Sequence, residues 1–271
     1  MPSLSPSIHP TAVIHPGSVV EEGAEIGPYA VLGPGVVIGS GASVGAHAYL
    51  EYAEIGPESR VFPGSFVGMP PQDVGYRNQP SRVVVGGGTV IREGVTIHRS
   101  KYEGGVTRIG ERCMLMNYAH VAHDCVLGDA VVVANQTAIA GHVQIGDGSF
   151  VSGLVGVHQF ARIGRLVMIA AGSMVSQDIP PFCLARGDRA RLYGLNLVGL
   201  RRAGFGAAAR NALKQAYQTV FASGLSLEAA LEALPASSDP GVREFAEFIR
   251  ASKRGVCRPQ ADSAGDGEDA E

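Results

Sequence analysis

Histidine suits proton transfer near neutral pH, because an ordinary pKa of about 6.5 leaves it uncharged at pH 7 yet still basic. Four of the eight histidines, His120, His123, His142 and His158, fall in one stretch, LMNYAHVAHDCVLGDAVVVANQTAIAGHVQIGDGSFVSGLVGVHQFA, residues 115–161. Two carboxylates could orient such an imidazole and stabilise its charged form: Asp124, next to His123, and Asp73, in a distant polar stretch. Sequence adjacency disfavours Asp124, since neighbours in an extended segment point to opposite faces. Clustered histidines also suit zinc. Which chemistry applies depends on the element that gathers them.

That element is written in the same letters. Aliphatic residues recur at every sixth position: Ile8, Ile14, Val20, Ile26, Leu32, Ile38, Val44 and Leu50, then, after a one-residue slip, Ile55, Val61 and Val67. The step resumes at Val85, Ile91 and Ile97 and runs again from Ile109 to Val175. A period of six fits neither a helix nor an ordinary strand, but it fits a hexapeptide parallel β-helix. Each hexad then supplies one short strand and one corner, with its aliphatic residue on the axis. Three hexads, eighteen residues, close a triangular coil. A β-sandwich would not hold a fixed step for so long.

Eighteen residues separate the hexads that open at Val121, Ile139 and Val157, so His123, His142 and His158 lie on one side of the prism in successive coils. His120 ends the preceding hexad, near the same corner. Two polar stretches break the period, 69–82 and 100–108, and read as loops expelled from the coil. The first carries Gln72, Asp73, Tyr76, Arg77 and Asn78, more chemistry than a spacer needs.

Residues 1–180 therefore read as the β-helix, ending at Ile179-Pro180-Pro181, where proline removes backbone donors. Residues 190–256 show helical spacing and Ala, Leu and Glu enrichment, with Ser226 as an N-cap. The acidic tail 257–271 reads as disordered. A net charge of -3 offers no basic stripe for nucleic acid. No stretch of 18 apolar residues and no leader pattern occurs, so a soluble, cytoplasmic chain without a membrane span is expected. Cys113, Cys125, Cys183 and Cys257 form no C-x-x-C pair and read as reduced thiols, with Cys125 structural rather than a nucleophile.

Four strings in order make a resemblance specific: HVAHDCVLGD from His120, AGHV from Ala140, VHQF from Val157 and QDIPPF from Gln177. With TIHR at Thr96–Arg99, the Gln72-Asp73 loop and the helical tail, the chain resembles the UDP-N-acetylglucosamine O-acyltransferases that open lipid A biosynthesis. The resemblance implies a mainly β fold, a left-handed parallel β-helix with a small C-terminal α-helical domain, assembled as a homotrimer with active sites between subunits. It implies transfer of an R-3-hydroxyacyl group from acyl carrier protein to the glucosamine 3-hydroxyl of UDP-N-acetylglucosamine. By matching position His123 is the general base, Asp73 its supporting partner and the Gly141 amide the oxyanion donor. Gln72, His98, His120, His142, His158, Gln159, Asn196 and Arg202 would line or bind substrates, and Ala171 would gauge acyl length. A thioester is already activated, so no cofactor, metal or covalent intermediate is required.

Three departures touch the sugar nucleotide rather than the catalytic core. Gly75 stands where many relatives carry Lys, so a phosphate interaction at that point is either missing or supplied by Arg77; Val198 and Ala203 replace polar and basic residues. Ala171, often Gly in relatives, implies a shorter acyl chain. Other readings are the N-acyltransferase of the same pathway, which normally has a separate N-terminal domain, a metal-dependent hydratase, and a β-helix without catalysis. Hydratases of the gamma carbonic anhydrase type pair histidines as H-x4-H, and no two histidines here are five positions apart.

Overall fold

In the computed structural model, which describes residues 5–234 and 239–259, short strands from β1 (Ser7–Ile8) to β26 (Met174–Val175) wind through three parallel sheets. The coil is left-handed, the rare hand for parallel crossovers. One sheet carries the histidines. It contains β11 (Phe66–Met69), β14 (Thr96–His98), β17 (His120–Val121), β20 (Ala138–Ile139), β23 (Gly156–Val157) and β26, each hydrogen-bonded to the next. Ile139 pairs with Val121 and with Val157, eighteen residues away on either side.

The sixth-position aliphatics fill the axis. Leu115, Val121, Leu127, Val133, Ile139, Ile145, Val151 and Val157 are buried. A second inward row, which the period does not announce, lies two residues earlier: Ala119, Cys125, Val131, Thr137, Val143, Ser149 and Val155 are also buried. Its polar members are satisfied by carbonyls of the coil, Thr137 Oγ1 donating to Ser152 O at 2.6 Å and Ser149 Oγ to Gly164 O at 2.8 Å. Cys125 belongs to this row. Its thiol faces Ala140 O at 3.1 Å, and burial pushes its pKa up to about 12, which suits packing and not nucleophilic attack. Toward the first coils the axis is less well covered, with Ile8 exposed and Ile14 and Val20 only partly buried.

Corners depart from the usual turn chemistry. Gly, Asn and Asp are the usual suppliers of such backbone angles, and Asp124 is one, yet positive φ recurs at Arg112, Ala130 and Leu166, at Tyr118, Gln136 and Leu154, and at His142 and Phe160. Left-handed backbone costs a non-glycine residue roughly 1–2 kcal/mol. Each corner amide offsets this by bonding to the coil before it: His142 N to His123 O and Phe160 N to Gly141 O, both at 3.0 Å.

The expelled loops leave between β11 and β12 (Arg82–Val85), and between β14 and β15 (Val106–Ile109). After β26 the chain forms β27 (Cys183–Arg186), antiparallel to β28 (Arg191–Leu195), then α1 (Leu197–Arg202), α2 (Ala207–Ala222), α3 (Leu227–Glu232) and α4 (Pro240–Arg250). Ser226 caps α3 as its sequence position suggests. The segment after α4 returns to the coil, with Asp178 paired to Val256 and Leu192 to Pro259. Buried Asp178 seals this return by accepting from Arg162 N and Ser252 Oγ, both at 2.8 Å. Most of the acidic tail expected to be disordered lies outside the described residues.

Candidate active site

A cleft of about 660 Å³ runs along the outer face of the histidine sheet. Its floor follows the ladder. His120 pairs with Ala138, Ala138 with Gly156 and Gly156 with Met174, so the outward row passes from imidazole through two small residues to a thioether. Ala122, Ala140 and His158 run beside it, and Gln72 and Asp73 cover it from the first expelled loop.

His123 stands at its wall, nearly buried. Its Nδ1 lies 2.8 Å from Asp124 Oδ2. A carboxylate can only accept, so in the neutral ring Nδ1 carries the proton and Nε2 keeps its lone pair. Nε2 is 3.8 Å from Asp73 Oδ2, beyond hydrogen-bonding distance. This corrects the expectation that Asp124 points away, while Asp73 stands on the opposite side of the ring, near Nε2. The rule for extended neighbours fails because Asp124 has φ 61, so the chain turns between the two residues and both side chains leave on one side. Asp124 is itself held by the Ser100 hydroxyl, the Lys101 amide at 3.2 Å and, through its own amide, Thr107 Oγ1 at 2.8 Å.

Asp73 is fixed differently. Lys101 Nζ lies 3.0 Å from its Oδ2 and the Gly75 amide donates to Oδ1 at 2.7 Å. These contacts, Lys101 first, lower the Asp73 pKa, and the same pairing raises that of Lys101. Gly141 faces His123 from the next coil. A β-carbon there would come within 2.8 Å of His123 Cε1 and Nε2, so only glycine lets the ring lie where it does. Among the described residues the Gly141 amide has no hydrogen-bond partner.

Around this centre burial lowers the pKa of three further histidines, His98, His120 and His142. His120 accepts or donates at Thr96 Oγ1, 2.7 Å from Nδ1, and packs edge-on against His98 at 4.9 Å. Burial lowers the pKa of His120 and takes that of His98 to about 4. His142 stacks on Phe160 at 4.4 Å and meets His123 edge-on at 5.1 Å; burial lowers its pKa as well. Among the described residues, donor atoms of His123, Asp124 and His142 lie within 4.8 Å of one another, the one group that could gather round a metal.

Of the residues singled out in the sequence, Gln72, Asp73, His120, His123, Gly141, His158 and Gln159 line the cleft. His142 and His98 stand behind it. Asn196, Arg202 and Ala171 do not line it within one chain. Asn196 caps α1 through Gly199 N at 2.9 Å and donates to Leu166 O at 2.9 Å, while Arg202 and Ala171 are exposed. Arg77, the other candidate for the phosphate interaction, turns back on its own loop, its Nη1 donating to Val74 O at 2.7 Å and Tyr76 O at 3.0 Å. Sequence reasoning missed Lys101, Ser100, Met174, Arg189 and Arg254, whose Nη2 is 3.2 Å from His158 Nδ1. Lys101 and Ser100 sit in the second expelled loop, which the broken period marked without showing that it returns to the site.

Comparison with known proteins now decides the family. Residues 178–257 match the model described as UDP-N-acetylglucosamine O-acyltransferase, domain 2, and 5–40, 17–52 and 107–141 match the bacterial transferase hexapeptide model. The acyl-[acyl-carrier-protein]–UDP-N-acetylglucosamine O-acyltransferase of Synechocystis is 53% identical over 252 residues, 92% of this chain and 91% of the relative. The chain belongs to the UDP-N-acetylglucosamine O-acyltransferase family. It is an acyltransferase. Two solved structures carry the same architecture. The UDP-N-acetylglucosamine acyltransferase of Campylobacter jejuni superposes with a TM-score of 0.89 at 39% identity, covering 94% of this acyltransferase and all of its own chain. That of Francisella novicida gives 0.92 at 34% identity, covering 96% of each.

Proposed function

We propose that the acyltransferase moves an R-3-hydroxyacyl group from acyl carrier protein to the glucosamine 3-hydroxyl of UDP-N-acetylglucosamine, the first step of lipid A biosynthesis, in the cytoplasm. Family membership supports the substrate pair. The observation that carries the mechanism is the division of His123: Nδ1 bonded to Asp124, Nε2 free beside the cleft, and Gly141 against the ring. Nε2 takes the 3-hydroxyl proton as the oxygen attacks the thioester carbon. The Gly141 amide holds the oxyanion. As the carbon–sulfur bond breaks, the imidazolium returns the proton to the departing thiolate. Asp124 fixes the tautomer and stabilises the imidazolium, while ionised Asp73 adds negative potential on the Nε2 side.

Gln72, His120, His158 and Gln159 contact the substrates directly, with His98 and His142 supporting the lining. The cleft is open on one side, and we infer a homotrimer in which a neighbouring subunit supplies the second wall. Asn196, Arg202 and Ala171 act from that wall, Ala171 as the gauge of acyl length.

The test is incubation with UDP-N-acetylglucosamine and a panel of 3-hydroxyacyl carrier proteins of different chain length. Wild type is expected to form a 3-O-acyl sugar nucleotide, and His123→Ala to lose about 10²–10⁴-fold in kcat. A fully active His123→Ala enzyme would refute the general-base role, and a product acylated on nitrogen would point to the sister reaction.

A further inference from the structure

Asp73 sits on a loop that has left the coil, and a loop held only at its ends would not keep a carboxylate within 4 Å of His123. Lys101 pairs with the carboxylate itself, and the loop backbone needs an anchor of its own. Arg99, directly after β14, is 7% exposed and lies between two tyrosine rings, its Cζ 4.8 Å from the centre of Tyr52 and 5.7 Å from that of Tyr76. Tyr52 belongs to the coil and Tyr76 to the loop. The guanidinium donates from Nη1 to Glu51 Oε1 and to Gly68 O, each at 2.6 Å, and from Nε to the Tyr76 hydroxyl at 3.1 Å. Its backbone amide donates to Met69 O at 3.0 Å. Arg99 thus takes the last carbonyls of the departing strand and the middle of the loop in one grip.

The grip reaches Asp73 through a single turn. Tyr76 N donates to Asp73 O at 3.0 Å and Gly75 N to Asp73 Oδ1 at 2.7 Å, so the ring held by Arg99 and the carboxylate facing His123 move together. A lysine could not serve in the same way, because its ammonium has no flat face to lie between the two rings while separate nitrogens bond the coil and the loop. Burying a charge inside a coil that elsewhere uses aliphatics is costly unless its polar partners require it. Here they do: Gly68 O and Glu51 Oε1 would otherwise lose their charged donor beside the tyrosine rings.

We propose that Arg99 is a positioning residue for the active site, clasping the expelled loop 70–81 through Tyr76 and so setting where Asp73 stands relative to His123. Only its kinetic consequence rests on the acyltransferase reading. Tyr76→Ala is the decisive variant, because it removes the loop's half of the clasp and leaves the coil's own residues intact. Amide hydrogen exchange in 70–81 is expected to speed up at least ten-fold while exchange in β17 and β20 stays unchanged. In steady-state assays kcat should fall about ten-fold with little change in the acyl-donor KM. Tyr76→Phe, which keeps the ring, should recover most of that loss. In an Asp73→Asn background Tyr76→Ala should cost less than two-fold more, because the carboxylate it positions is already gone. Two independent full losses, or wild-type exchange rates in 70–81, would overturn the clasp. A wild type that acylates no sugar nucleotide would instead overturn the function, leaving hydrogen exchange to judge the clasp alone.

Discussion

Two carboxylates divide one imidazole, and their distances set unequal duties. Asp124 is bonded to Nδ1 at 2.8 Å; Asp73 stands 3.8 Å from Nε2 and is paired with Lys101. Replacing Asp124 by Asn keeps the shape but lets the amide donate to Nδ1, which moves the imidazole proton to Nε2 and removes the base. Asp124→Asn is therefore expected to lower kcat by about 10²–10⁴-fold with KM for both substrates within three-fold, since the interaction it removes matters in the transition state. Asp73→Asn should cost less, about ten-fold, because it removes potential and not the tautomer. Steady-state kinetics of the two variants side by side decide the order. Inactive Asp73→Asn beside nearly native Asp124→Asn would return the supporting role to the loop.

At the scale of the element, β14 and β17 hold an edge-to-face pair of buried histidines, His98 and His120. His98 is 6% exposed, its Nδ1 has no hydrogen-bond partner among the described residues, and burial takes its pKa to about 4. The unfolded chain protonates His98 near 6.5, so below that pH it binds more protons than the folded state. Stability from this group is therefore complete above about pH 6.5 and falls as pH drops toward 4, by about 1 kcal/mol between pH 7 and 5.5. Urea unfolding should show that loss in wild type and a smaller one in His98→Gln; equal losses would contradict the buried neutral ring. Such a feature is hard to read from sequence. The six-residue step announced the coil, the cleft-lining side and both expelled loops, because Ile, Val and Leu mark the axis directly. It did not announce the second inward row, since Ala119, Cys125 and Thr137 share no chemical character. Nor did it show Asp124 turning to His123, which depends on one positive φ, or Lys101 returning from a loop of polar letters.

For the whole molecule, the question is where the other wall of the cleft comes from. His123 and Arg202 are both expected to act on one bound substrate pair, yet Arg202 lies on exposed α1 and does not line the cleft that holds His123 of the same chain. The proposed homotrimer would resolve this, because each heterologous contact brings a different patch of the neighbour against the cleft. The arrangement predicts complementation. His123→Ala and Arg202→Ala are each expected to be nearly inactive alone. Unfolded together in equal amounts and refolded as mixed trimers, they leave about a quarter of clefts with a native His123 from one subunit and a native Arg202 from the next. Recovery of about a quarter of wild-type activity, with a trimeric mass by light scattering, is the expected outcome. No recovery in mixed trimers would place both residues of each working site in one chain, and a monomeric mass at full activity would remove the second wall altogether.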